Sequence, residues 1–253
     1  MKSIRGIFLA SVVLLATTLA SAATVSLEQA PDIQIALFCD MLAHLPPMYV
    51  ENARVMELYR DPSLEVNAYA SYLGEGRPVI VVTRGAFRVM GTLAFYTAAE
   101  RTGHRVQPDF DFNAPTPHQV LRVPPNWREE FRDPAFERVW LQSLRSISCF
   151  VMAHEMGHHC MGHTRQAFLA KGLGTTQRNP LSMARMMRQD QELEADRFGV
   201  YAVGWNGLDY GSVATFCRYM HLCEPKVTWK LVTDHPNWKA RERHVKMIVQ
   251  SLR

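Results

Sequence analysis

The chain has 253 residues, a formal net charge of +4, 47% hydrophobic residues and 21% charged ones. That length supports one sizeable domain with its own core. The basic residues are dispersed, with no run and no aromatic-interleaved patch, which excludes the charge footprint of a nucleic-acid binder.

The predicted elements begin with a targeting segment. Lys2 and Arg5 precede an apolar run over 7–19, and Ala20-Ser21-Ala22-Ala23 supplies small residues for cleavage. This pattern predicts a signal peptide over 1–23 and an exported protein, periplasmic or secreted. Removal leaves roughly 230 residues with a charge of about +2. No later apolar stretch is long enough for a bilayer, so no stable membrane span is expected after signal cleavage. Residues 30–60 read as helical with an interruption at Pro46-Pro47, and Gly74 and Gly76 mark a turn. The β-branched run 77–83 is the clearest strand, and 84–101 reads as helix. Pro108, Pro115, Pro117, Pro124 and Pro125 mark a loop inside an insertion over about 102–135, a candidate lid, cleft wall or partner-binding surface. From Pro134 onward Phe136, Val139, Trp140, Leu144, Ile147 and Val151 recur at helical spacing. Gly172 and Gly174 mark a break before a helix carrying Glu192. A further helix after Gly211 leads to Pro225, and 236–252 reads as a closing helix. The sum is a mostly helical α+β fold with a small sheet, a single domain over 24–253.

The helix that starts at Pro134 runs into His154-Glu155-Met156-Gly157-His158. Positions four apart share a helix face, so His154 and His158 can hold one cation while Glu155 stands beside them as a general base. A metzincin needs a third His six residues after the second, and that position is Thr164. His163, five residues on, would lie about 140° around a continuous helix, away from the same ion. The better third ligand is Glu192, thirty-four residues after His158, in Glu192-Leu193-Glu194-Ala195-Asp196. It would complete a His2Glu site for one Zn²⁺ with the fourth position left for water, Glu194 being the fallback. Asp196 shares the Glu192 face and would orient a ligand His through its other ring nitrogen. Ala195 and Gly199 are small enough for close approach of the two helices.

Four segments together resemble the M48 zinc metallopeptidases, the Ste24/HtpX/BepA-like gluzincins. They are the HExxH box followed by Gly162-His163-Thr164, and the ExEAD-like segment from Glu192 to Gly199. The others are Val66-Asn67-Ala68-Tyr69-Ala70 with the strand from Arg77 to Gly85, and His235-Pro236 with Arg241 six residues after the His. The resemblance runs from about residue 66 to 243. It implies a zincin-type metallopeptidase domain in which the 77–83 strand is an edge that pairs with extended substrate. It also implies a zinc-dependent endopeptidase acting on polypeptides in quality control of exported or envelope proteins. The long stretch between Gly85 and His154 departs from the family pattern, as does the lack of the repeat array found in some members.

Glu155 is therefore expected to be the catalytic base. His235 is a second catalytic candidate at the rim of the site, stabilising an oxyanion, occupying the open metal position, or standing as a loop histidine set by Pro236. Arg241 is expected to hold that segment by an ion pair. A rival reading keeps the metal without turnover, as a latent or chaperone-like adaptor of the cell envelope; another is a zinc hydrolase acting on a non-peptide amide or ester. Five cysteines in an exported chain suggest one or two disulfides, although Cys217 and Cys223 would lie about 9 Å apart on a continuous helix, too far to bridge.

Overall fold

One long helix organises the molecule, and most of the other helices and two of the strands pack on it. The computed structural model describes residues 30–73, 76–106, 108–111, 121–125, 127–172, 189–223 and 238–252. The amino-terminal segment read as a signal peptide, His235-Pro236 and residues 112–120 of the Pro-rich stretch lie outside the described residues. The chain opens with helices α1 (Ala30–Ala43) and α2 (Pro47–Arg54), the second starting on Pro47 where a missing N–H costs nothing. Three strands follow: β1 (Glu57–Asp61), β2 (Ala68–Leu73) and β3 (Arg77–Thr83). Their order is β1-β3-β2, with β1 parallel and β2 antiparallel to β3.

Helix α3 (Arg84–Thr102) starts on Thr83, whose hydroxyl oxygen accepts the N–H of Ala86 at 3.1 Å. The same hydroxyl donates towards the carbonyl of Glu65 at 2.5 Å and lies 2.9 Å from that of Asn67. One side chain thus joins the end of β3, the start of α3 and the segment entering β2. Gly85 is needed beside it, because a Cβ there would sit 2.2 Å from the Glu65 carbonyl oxygen. Strands β4 (Asp109–Phe110) and β5 (Leu121–Arg122) form a short antiparallel ladder, followed by α4 (Trp127–Glu130).

The central helix is α5 (Pro134–Cys160), 27 residues long. Asp133 caps it by accepting the N–H of Ala135 at 2.8 Å, and Pro134 occupies its first turn. Its predicted apolar stripe is the core stripe: Phe136, Trp140, Leu144 and Ile147 are fully buried, each worth roughly 1.5–3 kcal/mol in transfer terms. Helices α6 (His163–Gly172), α7 (Gln189–Trp205), α8 (Tyr210–Cys223) and α9 (Trp238–Ser251) complete the fold. The domain is mostly helical with a small sheet, and no described helix is long and apolar enough to cross a membrane.

Four expectations change. Residues 57–61, read as the end of a helical stretch, form β1, because backbone pairing with β3 outweighs a local sequence with no period-2 pattern. That pairing makes β3 the central strand, not an edge; β2 is the edge nearest the site. The Pro-rich stretch carries the β4–β5 ladder rather than loop throughout. All five cysteines are free, and Cys217 and Cys223 share one unbroken helix. Burial pushes the Cys149, Cys160 and Cys223 thiols up to about 12, so they behave as packed apolar groups.

His104 secures the start of α5. Its Nδ1 bonds Glu130 and its Nε2 lies 3.2 Å from the capping Asp133. Burial opposes its charged form, but bonds to the two carboxylates outweigh that and raise its pKa. A raised folded-state value stabilises fully below the unfolded imidazole value of about 6.5 and is lost as pH climbs through the folded one. Wild type is expected to lose more thermal stability than His104→Gln as the pH is raised from about 6.5; parallel melting curves for the two proteins would refute this.

Candidate metal centre

The last turns of α5 and the first turn of α7 meet side by side, held close by two glycines. A Cβ on Gly199 would come within 2.9 Å of both the Phe150 carbonyl oxygen and its ring, and one on Gly157 within 3.0 Å of Phe198. Gly199→Ala must therefore separate the helices that carry the site. An overpacking cost of about 1–3 kcal/mol is expected in urea unfolding; an unchanged midpoint would show that the contact can relax.

This approach brings His154, His158 and Glu192 together, all three buried. His154 Nε2 lies 3.2 Å from His158 Nε2 and 3.3 Å from Glu192 Oε2, and His158 Nε2 lies 3.4 Å from Glu192 Oε1. Ligand atoms at about 2.0–2.1 Å from one tetrahedral ion lie about 3.3 Å apart, so the two imidazole nitrogens stand at the separation of two zinc ligands, with one Glu192 oxygen facing each. The charge inventory agrees. Among the described residues three buried carboxylates, Glu155, Glu192 and Asp196, face one buried guanidinium, Arg241. That excess of buried acidic over buried basic groups favours a bound cation. The residues present fit a metal ion both in geometry and in charge.

Each imidazole is held from behind. Asp196 Oδ1 accepts the Nδ1–H of His154 at 2.9 Å, leaving Nε2 to face the cluster. Arg241, from α9, grips Asp196 with Nε at 3.0 Å from Oδ2 and a terminal nitrogen at 2.5 Å from Oδ1. Its guanidinium also stacks 4.1 Å from the centre of the Trp238 ring. Burial alone would raise the Asp196 pKa; Arg241 and His154 outweigh it and hold the carboxyl at about 2. For His154, burial and Arg241 oppose protonation, but bonds to Asp196 and Glu192 and the charge of Glu155 carry its pKa to about 9. A site that pulls this hard for positive charge is suited to a cation.

His158 is backed by His163, with 3.1 Å between their Nδ1 atoms, and His163 Nε2 lies 3.0 Å from Glu194 Oε2. The sequence placed His163 away from the ion and kept Glu194 as the fallback third ligand; neither belongs to the ligand cluster, but both stand behind it. The signal for this was Gly162, whose φ of 79° ends α5 and turns the chain so that His163 opens a new helix. His159 tethers the same turn to the sheet, donating from Nε2 to the Val79 carbonyl at 2.9 Å. Burial holds it below the usual imidazole value, so it remains a neutral strut.

Glu155 lies outside the ligand set, its Oε1 4.0 Å from His154 Nε2. With His154 it lines a cavity of about 120 Å³ walled by Met90, Phe150, Phe216, Met220 and Trp238, with Asn67 and Ala68 of the β2 approach on the sheet side. His235, the other catalytic candidate, lies outside the described residues. No protein-family model, curated protein or solved structure matches the chain.

Proposed function

We propose that this protein is a zinc-dependent endopeptidase of the M48 type, with a zincin-like domain and an exported location. The observation that carries the reading is the buried His154–His158–Glu192 cluster, its two imidazole nitrogens at the spacing of zinc ligands, beside a buried carboxylate that is not one of its members. Two His and one Glu suit zinc, a borderline-soft ion that takes nitrogen and carboxylate ligands, and they leave an open position. Zinc held there supplies Lewis-acid polarisation and acidified water.

The chain's own residues divide the remaining work. Asp196 and Arg241 fix the His154 ring. Glu155 accepts a proton from water and returns it to the departing amine. The neighbouring cavity takes an apolar side chain flanking the scissile bond; a cavity of about 150 Å³ accommodates benzene, so the smaller volume here suits Leu, Ile or Met. The β2 edge offers main-chain groups to an extended substrate, favouring unfolded polypeptides over folded ones. Misfolded or stalled envelope proteins fit that preference.

The test combines metal analysis with digestion of an unfolded protein such as casein. About one zinc per chain is expected, with cleavage abolished by a chelator and restored by zinc, and with medium-sized apolar residues flanking the cut sites. Zinc without cleavage would favour the adaptor reading. No zinc would remove the basis of the proposal.

A further inference from the structure

We infer that His163 and Glu194 form a relay that positions His158 for metal binding, a second support independent of the Asp196–Arg241 pair. The inference rests on the metallopeptidase reading and adds two positioning residues to it.

The backbone first makes the contact unavoidable. Gly162, in the left-handed region, donates its N–H to the His159 carbonyl at 3.1 Å, and its own carbonyl accepts from Gln166 to begin α6. His163 is thereby folded back under the last turn of α5 and buried. The Thr164 hydroxyl, 3.0 Å from the His158 carbonyl, pins the turn.

Tautomer logic then gives the contact a direction. Two neutral imidazoles meeting through their Nδ1 atoms at 3.1 Å share one hydrogen between them. His158 Nε2 faces His154 and Glu192, so a ligating His158 must carry its hydrogen on Nδ1 and donate it to His163. His163 then accepts at Nδ1, which places its own hydrogen on Nε2, where Glu194 Oε2 accepts it at 3.0 Å. Each ring fixes the tautomer of the next, ending on a carboxylate that is 59% exposed. The plainer account is that His163 merely fills space beneath α5. Under that account any side chain of similar bulk would serve, and Glu194, on the surface, would not matter.

Three variants separate the accounts. His163→Asn keeps an oxygen acceptor near the position of Nδ1, His163→Leu keeps bulk without an acceptor, and Glu194→Ala alters only the exposed end. Zinc affinity would be measured by chelator competition, and site geometry by the visible spectrum of the cobalt-substituted protein. His163→Leu is expected to weaken zinc about 10–100-fold and to alter the tetrahedral cobalt bands, as loss of a group behind a ligand does elsewhere. His163→Asn is expected to retain affinity within a few-fold, and Glu194→Ala to show a smaller loss in a protein that melts like wild type. Wild-type affinity in both His163→Leu and Glu194→Ala would overturn the relay and leave the metallopeptidase reading intact. So would equal weakening in the Asn and Leu variants together with no effect of Glu194→Ala. A wild-type protein that binds no zinc would overturn both.

Discussion

Glu155→Gln is expected to abolish digestion of an unfolded protein while leaving about one zinc per chain. Glutamine has the shape of glutamate but cannot accept the proton, and positioned acid–base groups contribute about 10²–10⁴-fold to such reactions. Zinc should stay because Glu155 is not a corner of the ligand triangle: its carboxylate stands 4.0 Å behind His154 Nε2, whereas the triangle's edges are 3.2–3.4 Å. Zinc content and cleavage rate measured on the same preparations decide the matter. Turnover near the wild-type rate would remove Glu155 from the chemistry; loss of zinc would instead make it part of the binding site.

The second large effect is expected at Arg241, and on stability. Arg241→Met keeps an unbranched apolar stem but removes the cation that stacks on Trp238 and faces Asp196. Asp196 is fully buried, so it would be left as a carboxylate without its guanidinium. Breaking one side of a buried pair costs about 3–5 kcal/mol. The pH dependence gives an independent check. Asp196 is depressed to about 2 in the folded state, so its contribution is present above the unfolded carboxylate value of about 3.9 and is lost as pH falls towards the folded value. Metal-free wild type should lose stability over that acid window. Arg241→Met should already be weakened at neutral pH and lose less between about pH 4 and about pH 2. Zinc affinity should fall as well, because the His154 ring loses its fixed backing. Urea midpoints that match wild type at neutral pH would show that the pair contributes nothing.

What the sequence disclosed and what it withheld have physical causes. The α5 stripe, the i,i+4 spacing of His154 and His158 and that of Glu192 and Asp196 are local periodicities, and the structure places these side chains where the spacing puts them. β1 pairs with a strand some twenty residues onward, and nothing within Glu57–Asp61 announces that partner. The central position of β3 follows from β1 and was hidden with it. The pairing of His163 with His158 depended on one backbone angle at Gly162, which a continuous-helix projection cannot contain. Disulfides were expected from the compartment that the amino-terminal pattern implied rather than from any geometry, so the unpaired state of the cysteines had to be seen.

The reach of Arg241 along the chain has a consequence for the order in which the cluster is assembled. Its guanidinium backs a histidine 87 positions earlier, through an aspartate 45 positions earlier. Contacts at that separation form only once the intervening loops are closed. A growing chain therefore carries its HExxH box for many residues of synthesis before the brace that steadies His154 exists. Closure of the His154–Asp196–Arg241 contact is thus tied to completion of the fold.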